Sequence, residues 1–150
     1  MEESLGYWKL VTILVAVFVA YVSYRQYRID REKFKLDLFE KRFTVFSAAR
    51  KLLSIVLRGA KADLKDLFEY RAAVAEAAFL FDEDITDYLD EIDKQFLRLH
   101  TTEAKLKGDL VAEERNRLID ENDKTLGWLI DQLPELKKRF SPYLKFRVWK

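Results

Sequence analysis

The chain has no cysteine and one histidine, with only two prolines and four glycines in 150 residues. Without cysteine there is neither a disulfide nor a thiolate metal site. His100 alone cannot supply the several imidazoles that helical zinc and di-iron sites need. It also has no evident partner that would position it as a general base. The glycines are scattered, which excludes a glycine-rich phosphate loop. No serine or threonine stands in a nucleophile-elbow context. The run Asp82, Glu83, Asp84, Asp87, Asp90, Glu91 and Asp93 fails as a calcium loop. Started at Asp82, its sixth position is Asp87 where glycine is needed, and its twelfth is Asp93 where glutamate is needed. With no nucleophile–base pair visible, the expectation is a protein that is not an enzyme and that uses no cofactor and no metal.

What the chain does have is charge, at 35% of residues, and one long apolar run. Residues 5–24 read LGYWKLVTILVAVFVAYVSY, and residues 10–24 carry no charge. About 20 apolar residues cross the hydrocarbon core of a bilayer as a helix. Tyr7 and Trp8 at one edge, and Tyr24 and Tyr27 at the other, suit the two membrane interfaces. A cleaved signal peptide fits poorly, because the start is acidic and the run ends Tyr-Val-Ser-Tyr. Arg25, Arg28, Arg31, Lys33 and Lys35 follow the run, against Lys9 before it. The positive-inside rule then places Met1 outside and residues 25–150 in the cytoplasm. The net charge of +1 hides further segregation: residues 25–61 sum to +7, residues 62–93 to −9 and residues 94–150 to +4.

Few helix breakers and many Leu, Ala, Glu and Lys predict an all-α fold. The expected architecture is one N-terminal transmembrane helix continuing into an antiparallel bundle of about four helices. Neither glycine nor proline occurs in residues 10–57, so the span should run on unbroken into the first bundle helix. Leu36, Phe39, Phe43, Phe46, Leu53 and Leu57 share one face of that helix, with Leu38, Val45, Ala49, Leu52 and Val56 widening it. Arg50 falls in the gap of this stripe, a position expected to be covered.

Gly59 should end the first helix and Asp63 cap the second, which runs to about Phe81. The second helix would bury Leu64, Leu67, Val74, Ala78 and Phe81, with Arg71 in the gap and Phe68, Ala72, Ala75 and Phe79 flanking. Asp84 should cap the third, carrying Ile85, Tyr88, Leu89, Ile92, Phe96, Leu99 and Leu106. The fourth carries Val111, Leu118, Leu126, Leu129, Leu133, Leu136 and Phe140, with Asn122 in the stripe. Pro134 should kink it, and Ser141-Pro142 should stop it. By domain, residues 1–24 are outer tail and span, residues 25–145 the bundle, and residues 146–150 a basic aromatic tail.

Arg50, Arg71 and Asn122 are the candidate polar residues of the bundle. They would either fix register through buried pairs or line a pocket for an anion such as a nucleotide. Tyr7, Trp8, Tyr24, Arg25, Tyr27 and Arg28 are the candidate membrane-interface residues. The closing KKRFSPYLKFRVWK can lie on an anionic bilayer or pack on the bundle; nucleic acid is the disfavoured partner.

The segment YRQYRIDREKFKLDLFEKRFTVFSAARKLL resembles a group of uncharacterised small bacterial single-pass membrane proteins, and FLFDEDITDYLDEI and RFSPYL continue the similarity. The resemblance implies an N-terminal span, a helical cytoplasmic domain and a bacterial inner-membrane setting, and transfers no site residue. Together these readings lead to a membrane-anchored interaction or scaffold module that meets the lipid bilayer and either a protein partner or a second copy. The alternative is a membrane effector or sensor whose bundle binds an anionic ligand and whose spans oligomerise.

Overall fold

A computed structural model of the chain describes residues 2–59, 63–109 and 111–145, with side chains from Trp8 onward. The described residues are all-α. The helices are α1 (Glu2–Gly59), α2 (Leu64–Val74), α3 (Ala77–Leu80), α4 (Glu83–Leu106) and α5 (Ala112–Phe140). Two compact units divide the chain, Met1–Leu38 and Phe39–Lys150. The tail at residues 146–150 lies outside the described residues.

Helix α1 is helical across 58 residues, with no break between Tyr24 and Leu36. Its hydroxyl residues do not compete with the helix. Thr12, Thr44 and Ser54 each donate back to the carbonyl four residues earlier, at 2.8, 2.9 and 2.7 Å. In the unit Met1–Leu38 the apolar side chains from Leu10 to Tyr24 are exposed, apart from the half-buried Val11. An 18-residue window in Trp8–Gly59 has a mean hydropathy of 1.5 and none of it is buried. By length and composition this helix can cross a membrane.

The unit Phe39–Lys150 is a helical bundle around one core. Helices α4 and α5 run antiparallel: the Tyr88 hydroxyl donates to the Gln132 carbonyl at 3.2 Å, and Arg98 lies 3.8 Å from Glu121. Helix α2 runs antiparallel to α1, since Lys51 meets Glu69 at 2.8 Å while Lys41 meets Glu76 at 3.2 Å. Ile85, Tyr88, Leu89, Ile92, Phe96 and Leu99 of α4 and Leu118, Leu129, Leu136 and Phe140 of α5 are buried, as their helical spacing predicts. The α4 stripe continues to buried Thr102, whose hydroxyl is satisfied by the Arg98 carbonyl at 2.9 Å.

Helix α1 buries only part of the broad stripe expected. Val45, Ala49, Leu52, Leu53 and Val56 are buried, whereas Leu36, Phe43 and Leu57 are half exposed and Arg50 is exposed. Leu36, Phe43, Arg50 and Leu57 fall seven residues apart on one line that is exposed throughout, whereas Leu53 lies on the covered side. Phe46 stays at its edge, in a chain of rings running Phe39, Phe43, Phe46, Phe140, Phe81 and Tyr143, with successive centroids 5.1 to 6.0 Å apart.

The second helix is interrupted. After α2 the backbone passes Ala75 at φ −55°, ψ −33° and Glu76 at φ −89°, ψ 2°. That ψ near zero tightens the chain, so the Phe79 amide bonds the Glu76 carbonyl three residues back at 3.0 Å. The buried face nonetheless runs on at helical spacing. Tyr70 and Ala77 are buried with Leu67 and Phe81, whereas Leu64 and Ala78, expected inside, are exposed.

Caps follow the sequence with one exception. The Asp63 carboxylate accepts from the Lys65 amide at 3.1 Å. Asp82, not Asp84, is the cap residue of α4, and its carboxylate makes no capping bond. That carboxylate accepts from the Tyr143 hydroxyl at 2.6 Å, a stronger competitor than a backbone amide. Helix α5 continues through Pro134 without interruption. Both Pro134 and Ile130, whose carbonyl loses its donor, are exposed, so water can take the place of the missing amide. Val111, expected in the α5 stripe, is its exposed cap residue.

Candidate interaction surface

The polar residues singled out by the sequence are not brought together. Arg50 is exposed in a shallow surface groove with Ser47, Lys51, Ser54 and Arg58. Glu76 pairs with Lys41 at 3.2 Å. Arg71 forms a two-pronged pair with Asp93, at 2.6 and 2.7 Å. That hydrogen bond and the Asp93 charge raise the guanidinium's pKa. Asn122 is half-buried on α5, and its Oδ1 is buried with no hydrogen-bond partner. His100 is half-buried. Among the described residues no three histidine, aspartate or glutamate side chains converge as metal ligands do.

The candidate interface residues lie in the unit Met1–Leu38. Trp8, Tyr24, Arg25, Tyr27 and Arg28 are exposed, and the Tyr7 side chain lies outside the described ones. Arg25 and Arg28 share a helix face with Ile29 and Glu32 around a surface groove of 330 Å³.

Arg42 was not anticipated. Its Nε donates to the Leu80 carbonyl at 2.9 Å, and its guanidinium lies 5.7 Å from the Phe81 ring centroid and 5.3 Å from that of Tyr143. Burial lowers its pKa, while the charges of Tyr143 and Asp82 pull the other way. Around it the segment after α5 is held to the start of α4. A clue in the sequence was the aromatic residue two places after Ser141, since Pro142 ends the helix and leaves Tyr143 free to turn inward.

The largest surface feature sequence reasoning misplaced is on α2 and α3. Phe68, Ala72, Ala75 and Phe79 were read as flanks of the core. All four are exposed, and Phe79 is 88% exposed, with the highest exposure among the large apolar residues described. Beside them a groove of 390 Å³ opens between α2, α3 and α4. Val74, Ala77 and Leu89 contribute apolar lining, and Asp90 and the Arg71–Asp93 pair contribute the charges.

No family model, curated protein or solved structure matches the chain.

Proposed function

We propose that the chain is a single-pass membrane protein whose helical bundle is a cytoplasmic interaction or scaffold module. The observation that carries this reading is the long apolar stretch of α1, none of it covered by the rest of the chain. A soluble protein that exposed such a surface would aggregate, whereas a bilayer covers it without cost. The cationic flank Arg25, Arg28 and Arg31 supports the cytoplasmic side for the bundle, and the resemblance supports a bacterial inner membrane. The bundle contributes apolar surface and satisfied ion pairs, and its grooves are shallow. Such a surface suits binding another macromolecule better than enclosing a small substrate.

The test is extraction and ligand response. Membranes washed with alkaline carbonate should retain the full chain, and release into the supernatant would remove the anchor. Detergent-solubilised protein should show no rise in Tm with nucleotides, since Arg50 and Arg71 lie in separate grooves. A rise of several degrees with any nucleotide would replace the scaffold by an anion sensor.

A further inference from the structure

We infer that the groove between α2, α3 and α4, with the exposed face beside it, docks a basic amphipathic helix of a partner protein; this rests on the interaction-module reading and names the partner's chemistry. Phe68, Ala72, Ala75 and Phe79 follow one another at steps of four, three and four on near-helical backbone, and all are exposed. Two rings separated by two alanines leave a shallow saddle, and a helix laid across it approaches closely at the alanines while its own apolar residues meet the rings. Ala75 also lines the 390 Å³ groove, so face and groove form one surface.

Charge decides the occupant. Residues 62–93, which hold this surface, carry a net −9. Asp90 of α4 lines the groove and Asp87 lies one turn before it; both are exposed and pair with no cation among the described residues. An anionic bilayer would be repelled by such a rim. A second copy docked through the same face would set two acidic segments against each other. A helix with apolar residues on one face and Lys or Arg on its borders satisfies both the rings and the carboxylates.

The experiment uses the full chain in phosphatidylcholine nanodiscs with benzoylphenylalanine in place of Phe79. A control carries the same group in place of Arg117, exposed on α5. The probes are an 18-residue helical peptide with a leucine face and lysine borders, and the same peptide with glutamates for lysines. The lysine peptide should crosslink saturably at position 79, and neither at position 117 nor as the glutamate peptide. Phe68→Ser with Asp90→Lys should weaken it by at least about tenfold, the scale of losing an anchor and its charge. Both positions are exposed, so the circular dichroism of that variant should match the parent. Equal crosslinking at both positions or with both peptides, or unchanged affinity in the double variant, overturns the inference. So does a crosslink between two copies of the chain. Carbonate extraction is read on the same preparations. A chain that stays in the membrane but takes no peptide loses this inference alone, and one that takes peptide but is extracted loses the anchor alone.

Discussion

Two tyrosines tie the inner helices together through their hydroxyls. The Tyr70 hydroxyl donates to the Leu89 carbonyl at 2.9 Å and the Tyr88 hydroxyl to the Gln132 carbonyl at 3.2 Å. Burial raises both pKa values: Tyr70 far above the ordinary tyrosine range, and Tyr88 to about 12. Arg139, with its guanidinium 4.6 Å from the Tyr88 ring centroid, works against the rise at Tyr88. A raised acid pKa means the folded state holds its proton where the unfolded chain has lost it. The resulting stability is complete below pH 10, the unfolded value, and declines as pH rises toward 12 and beyond. Each tyrosine can contribute at most about 1.4 kcal/mol per pH unit in that window. Urea midpoints measured from pH 8 to pH 12 should therefore fall above pH 10, and Tyr70→Phe should flatten the fall. At pH 8 that variant should lose only about 1 kcal/mol, since the Leu89 carbonyl keeps its place in the ladder of α4. A slope unchanged in Tyr70→Phe would mean that the hydroxyl is not buried in solution.

At the scale of elements, what was legible was local. Gly59 as a helix end, Asp63 as a cap, the α4 stripe and the stop at Ser141-Pro142 all follow from short-range rules, and the structure places them so. What was not legible depended on partners. Which part of the broad α1 stripe is covered turned on helices distant in sequence. The break at Ala75 and Glu76 has no glycine or proline to announce it. Arg71 was picked out for its place in a stripe, but its partner Asp93 is 22 residues away and could not be named from spacing. The exposed face of Phe68 and Phe79 was hidden for the same reason: a helix apolar on two sides does not say which one is covered. Pro134 offers a check on α5. It lies inside a continuous helix at an exposed position, so Pro134→Ala restores a backbone donor and removes the crowding at the Ile130 carbonyl. The variant should be more stable by about 1 to 3 kcal/mol. A thermal transition that stays put or falls would show that the proline fixes a bend α5 needs to keep Leu129 and Leu136 buried together.

For the whole molecule the governing pattern is the order of charge along the chain. A short acidic start, an uncharged run, a strongly basic stretch and a strongly acidic one follow in sequence. A soluble bundle needs no such order. A proposed span inserting in one direction does, because Lys and Arg next to a span resist translocation while Asp and Glu have little influence. Arg25, Arg28, Arg31, Lys33 and Lys35 all fall within eleven residues after Tyr24, inside the zone where the rule acts, and only Lys9 opposes them. The acidic stretch begins at residue 62, too far along to reverse the balance. Protease added to intact spheroplasts should therefore leave the unit Phe39–Lys150 uncut, and lysis should expose it. A variant with Arg25, Arg28 and Arg31 changed to Gln, and Glu2 and Glu3 changed to Lys, carries three cations before or within the span's outer edge and two in the eleven residues after Tyr24. It should place a measurable share of its bundles outside, where the protease cuts them without lysis. None of the five changes touches the packed unit, so altered protection reports orientation and not unfolding. Cleavage of the unaltered protein in intact cells would reverse the topology. The acidic groove with its exposed Phe79 would then face outward, and a basic helix to fill it would have to come from that side of the membrane.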